Sequence, residues 1–87
     1  MMETPIGHIT HFYNRINVAV LSLTDTLNLG DKIHILGHTT DLIQEVTSME
    51  IEHKKVSTVG PGDEVALKVN EPVRKGDKLN KIITEPL

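Results

Sequence analysis

The chain contains no cysteine and no tryptophan, and its single phenylalanine and single tyrosine stand side by side as Phe12 and Tyr13. Without thiols, no disulfide can reinforce a core and no thiolate can act as nucleophile or metal ligand. Two adjacent aromatics do not make the spaced stacking platform that holds single-stranded bases. No stretch approaches the roughly 18 continuous apolar residues of a membrane span. The opening MMETPIGHITHF has neither a basic head nor an apolar run of signal length. These absences predict a soluble, cytoplasmic protein. Positive charge is also scarce: nine Lys and Arg stand against twelve Asp and Glu, a net charge of -3. Affinity for nucleic acid comes largely from displacing phosphate counterions, so DNA is not an expected partner. Basic residues gather near the end (Lys68, Arg74, Lys75, Lys78, Lys81), but Glu64, Glu71 and Asp77 interleave with them.

What is present is a short phrase used three times: GDKI at Gly30, GDEV at Gly62 and GDKL at Gly76. Glycine closes a tight turn with φ > 0 at no steric cost. The aspartate beside it can bond back to turn N–H groups. A charge and then an inward aliphatic follow, so each phrase reads as a strand entrance. The intervals are unequal, which excludes a solenoid repeat. Short β-branched runs separated by turn residues fill the rest. Strands are expected at residues 6–12, 17–23, 32–37, 62–69 and 78–84. In the first, His8 and His11 should point to opposite faces. NVAVLSL is apolar on both faces, as for a strand covered on each side. Leu42 to Lys54 forms the longest alternation, with Glu50 and Glu52 on one face opposite Met49, Ile51 and His53, and reads as a strand rather than a helix. Val65, Leu67 and Val69 should face inward. Residues 1–87 are expected to make one domain, ordered over 5–84 with short tails: an all-β, six-stranded antiparallel closed barrel, which leaves no edge strand.

Motifs for chemistry are thin. There is no phosphate-binding loop of the G-x-x-x-x-G-K-[ST] kind. Asn80-Lys81-Ile82-Ile83 lacks the final aspartate of a guanine-reading motif. His34, His38 and Asp41 are near in sequence, but a zinc site needs convergence that a strand and a turn do not ensure. Ser22, Ser48 and Ser57 occupy no nucleophile elbow. No catalytic residues, no metal and no cofactor are expected. The GHTTD loop concentrates polar groups, so His38, Thr39, Thr40 and Asp41 are binding candidates, with Glu50 and His53. Arg74 and Lys75, in the turn before the last strand, are candidates for anionic contacts.

LNLGDKIHILG, VTSMEIEHK, PGDEVALKV and VRKGDKL, in that order, resemble the second domain of translational GTPases such as elongation factor Tu, over about residues 6 to 83. The resemblance implies a six-stranded barrel of translation-factor domain 2 type. It implies contact with the end of tRNA or with the ribosome, in which Glu50 matches a glutamate that touches the terminal adenosine. His53 stands where that family has arginine, and Glu64 where it has asparagine. The GTPase domain is missing, so no GTP switch is implied. Similar barrels also resemble the C-terminal domain of collagenase-like peptidases. The leading expectation is a non-catalytic binding module whose partner is a protein, the ribosome or structured RNA, as a monomer or weak homo-oligomer. The alternative is an accessory subunit that supplies a peptidase's barrel in trans. A flavin- or metal-binding barrel ranks last, because the Arg-x-Tyr-Ser/Thr signature of flavin reductases is absent.

Overall fold

A computed structural model describes residues 2–84, and all their regular structure is β. The strands are β1 (Met2–Tyr13), β2 (Val18–Leu23), β3 (Leu27–Asn28), β4 (Lys32–Leu36), β5 (Asp41–Glu45), β6 (Met49–Ile51), β7 (Lys54–Val56), β8 (Thr58–Val59), β9 (Glu64–Lys68) and β10 (Lys78–Ile83). Eight of them form one antiparallel sheet in the order β5-β4-β10-β1-β2-β9-β6-β7, and β3 pairs with β8 separately. The tail expected beyond residue 84 lies outside the described residues.

Each Gly-Asp phrase is a turn with a second lock. Gly30, Gly62 and Gly76 have φ of 90°, 89° and 90°. The following aspartate N–H donates three residues back, to Asn28, Gly60 and Arg74 carbonyls respectively, which is the signature of a type II turn. The aspartate carboxylate then accepts the N–H of that same residue, at 2.8 Å for Asn28, 2.9 Å for Gly60 and 2.8 Å for Arg74. Two of the turns also open a bulge. Gly30 N–H and Asp31 C=O both bond Val46, and Gly76 N–H and Asp77 C=O both bond Ile9. Two residues therefore oppose one, which strengthens the local twist of the sheet.

β1 is long because two register shifts bend it, between Pro5 and Gly7 and between Ile9 and His11. The first buries both Ile6 and Ile9 despite their odd spacing. The second corrects an expectation: His8 pairs with Ser22 and His11 with Val20, both outward on β2, so the two histidines share a face. The inward face is apolar apart from Gln44 on β5. Leu21, Ile33, Ile35, Val65, Leu67 and Leu79 are almost wholly buried, in agreement with the alternation read at Val65, Leu67 and Val69.

The expected six-stranded closed barrel is corrected on two counts. The sheet has eight strands, and among the described residues its ladder stays open between β5 and β7. The stretch Leu42 to Lys54 is extended rather than helical, but it is not one strand. It breaks at residues 46–48 and again at Glu52 and His53, a two-residue turn between the paired Ile51 and Lys54. Where a ladder is missing, a side chain bridges instead. Gln44 on edge strand β5 is buried. Its amide donates to Lys68 C=O (3.0 Å) and accepts from Asn70 N–H (2.7 Å), tying β5 to the end of β9. Lys54 and Lys55 leave the other edge charged, which discourages pairing with a further strand.

Gln44→Leu should cost about 1–3 kcal/mol in urea unfolding, because it leaves buried backbone groups unpaired. An unchanged unfolding midpoint would show that the seam is held by apolar contact alone.

Candidate functional site

The outward face of β1, β2, β9 and β6 is a groove whose floor follows from strand register. One row runs His11, Val20, Ala66, Glu50 across the four strands. A second runs Tyr13, Val18, Lys68, and a third His8, Ser22, Glu64. Val18, Val20 and Ala66 are half-buried, and no second layer of described residues covers them. The expectation that NVAVLSL is covered on both sides is thus met on one side only. Two hairpin tips form the walls. The β1–β2 loop carries the exposed Tyr13 and Ile16, and the His11 and Tyr13 rings lie 4.3 Å apart. The β6–β7 turn carries Glu52 and His53 with φ of 50° and 65°. This is a type I′ turn, which normally selects Asn and Gly.

The groove comprises two adjoining hollows of about 540 and 560 Å³, which share Glu50, His53 and Ala66. The first is bordered by acids: Glu50, Glu52, Asp63 and Glu64. The second is mainly apolar, with Tyr13, Ile16 and Val18. Lys68 borders it, but its ammonium donates to Ile16 C=O at 2.8 Å and is drawn toward the loop. The groove is therefore acidic at one end and apolar at the other.

The candidate residues from the sequence do not form one site. Glu50 and His53 lie on the groove, although Glu52 and His53 belong to a turn and not to the expected strand alternation. His38 and Thr39 form the tip of the β4–β5 hairpin, where Gly37 and Thr40 exchange backbone bonds of 2.9 and 3.4 Å. Thr40 is buried. Arg74 and Lys75 lie in the Asp77-closed turn, which touches that hairpin: a Cβ on Gly37 would sit 1.9 Å from Asp77 Oδ1. In the sheet, β4 and β6 are separated by four strands, so the two groups are apart.

Asp41 is committed elsewhere. Its carboxylate meets His34 Nε2 at 2.6 Å, while Glu3 meets His34 Nδ1 at 2.9 Å. Asn80 donates to Glu3 at 3.1 Å. An imidazole bonded to an acid through both nitrogens is best satisfied as the cation. The bond to Asp41 does most to raise the His34 pKa; burial opposes it, and the bond to Glu3 adds a lesser upward push. The His34 and Asn80 bonds lower that of Glu3. The sequence reading missed Glu3 because it started the first strand at Ile6, whereas Glu3 is paired with Ile82. His34, His38 and Asp41 do not converge; no group of three metal-ligating side chains occurs among the described residues.

Two outcomes test this geometry. His34 stabilisation should be full below about pH 6.5, the ordinary histidine value, and fade as pH rises through its raised pKa. The Glu3 contribution should fade as pH falls through its lowered one. The melting-temperature gap between the wild type and His34→Gln should accordingly peak in mild acid; a gap that is flat up to pH 9 would refute the tie. Replacing Glu52 and His53 by Asn and Gly should raise stability by roughly 1 kcal/mol, since left-handed backbone strains side-chain-bearing residues. A fall in stability would show that these side chains make contacts worth more than the strain.

No protein-family model matches the chain. An uncharacterized protease of Methanocaldococcus jannaschii is 41% identical over 75 residues, which is 85% of this chain and 18% of that protein. A collagenase of Porphyromonas gingivalis is 33% identical over 79 residues, 88% of this chain and 22% of the collagenase. The chain therefore spans about a fifth of the length of these curated relatives. Among solved structures, the C-terminal domain of a Geobacillus thermoleovorans protein described as a U32 peptidase superposes with a TM-score of 0.84 at 16% identity. That match covers 90% of this chain and 99% of that one, and shows a shared fold. These relatives correct the resemblance to elongation factor domain 2, and with it the implied tRNA and ribosome contact through Glu50. The similarity lies with proteases and collagenases, and the fold is that of a peptidase's C-terminal domain.

Proposed function

We propose that this chain is a non-catalytic accessory domain that works in trans with a peptidase body, in the cytoplasm. The supporting observation is the lopsided match to the methanogen protease: nearly all of this chain aligns with a fifth of that protein. His34 has both ring nitrogens engaged by carboxylates, so neither is free to take a proton from a serine. With no cysteine in the chain, the usual alternative nucleophile is also missing. Fold alone does not assign function, so a role beside a peptidase rests on the sequence relatives and on the open groove. The partner is a protein, and the domain contributes a binding face rather than a reacting group.

The test is reconstitution. The M. jannaschii protease, truncated by the matched segment, is mixed with this chain and examined by analytical ultracentrifugation. A one-to-one complex with a micromolar Kd is expected, in keeping with an interdomain contact of ordinary size. No association at high micromolar concentration, or peptide hydrolysis by this chain alone, would overturn the proposal.

A further inference from the structure

We propose that the groove between the β1–β2 and β6–β7 tips holds an extended substrate polypeptide in which a lysine or arginine neighbours large apolar residues. The inference rests on the peptidase-accessory reading and names the class of substrate. Three features of the groove carry it. Its floor of Val18, Val20 and Ala66 is apolar, outward and unpartnered among the described residues. Such a floor can cover an apolar side chain of a bound polypeptide. Its two walls are hairpin tips, so it has the form of a channel across the strands rather than a flat patch that would suit a folded domain. Its charge is graded: Glu50, Glu52, Asp63 and Glu64 border one hollow, and Tyr13 and Ile16 border the other.

Charge complementarity selects the occupant. Of the nearby lysines, Lys68 points its ammonium at Ile16 C=O, and Lys55, opposite Glu50 on β7, forms no ion pair with it among the described residues. A guanidinium or ammonium from a bound chain can neutralise the acids, with Glu50 where the two hollows meet. An adjacent leucine or aromatic side chain then covers Val18 and Val20 and packs beside Tyr13. A phosphate backbone would meet like charge at the acidic end, which costs affinity. The groove lies on the sheet face and not on an edge, so recognition is by side chains. It tolerates varied sequences, as an accessory to proteolysis requires.

The probe is a fluorescein-labelled unstructured peptide with two arginines between leucines, titrated with the full chain and followed by anisotropy. Binding is expected to weaken with salt. The pair Glu50→Lys and Glu64→Lys should reduce affinity at least about tenfold, equivalent to about 1.4 kcal/mol. Glu71→Lys, half that charge change at a residue outside both hollows, should leave it unchanged. If the lysine pair disturbs folding, Glu50→Gln with Glu64→Gln gives the neutral counterpart, and amide shifts at Val18, Val20 and Ala66 report contact directly. Equal binding of the peptide with glutamates for arginines, equal binding of single-stranded RNA, or equal loss in Glu71→Lys would overturn the proposal. No binding at millimolar peptide would also overturn it, and would leave the accessory reading intact if the trans complex still forms. A bound peptide without that complex would support the groove and remove the accessory reading.

Discussion

An aspartate carboxylate that closes onto the N–H three residues behind it sets the start of three strands. The glycine just before it must hold φ near 90°, a conformation that penalises any side chain. The aspartate then locks the turn by its own N–H and its carboxylate together. In two cases the same glycine and aspartate bracket one buried aliphatic residue distant in sequence, Val46 just past β5 or Ile9 in β1. Turn, bulge and register are thereby fixed at one place. A slip of a single residue would turn the buried face outward, so register at the strand entrance decides whether the core exists.

The far side of the sheet is held differently. β5 and the end of β9 do not share a ladder, and the Gln44 amide serves as a substitute peptide group between them. Beside it, β3 and β8 bring the buried Leu27 and Val59 together as a short separate pair. The apolar core is thus continuous although the hydrogen-bonded sheet is not. On the outward face, Glu3, His34, Asp41 and Asn80 tie β1, β4, β5 and β10 through one imidazole. Both devices use polar side chains to join strands.

The turn phrases that suggested a translation factor are strand-entrance chemistry. Gly-Asp followed by a charge and an aliphatic encodes a type II turn and an inward residue, wherever a small β-domain needs one. Such a phrase can recur in unrelated functions, because fold and function are separable. The identity to a protease and a collagenase extends over almost the whole chain and so carries more weight than four short motifs. The apolar floor of the face left open by the fold comes from the valines of β2, a strand whose sequence pattern predicted cover on both sides.

From the sequence alone came the all-β class, the three strand entrances and the inward alternation at Val65, Leu67 and Val69. These are local properties, set by backbone sterics and by periodicity over a few residues. Tertiary structure decided the rest. Bulges in β1 put His8 and His11 on one face, because an inserted residue reverses the alternation that simple counting assumes. Glu3 met His34 across 31 positions, and Gln44 met Asn70 across 26, pairings that no local pattern records. The groove itself joins four strands and two turns, and only the register of the folded sheet could bring Tyr13, Val20, Glu50 and Ala66 onto one surface.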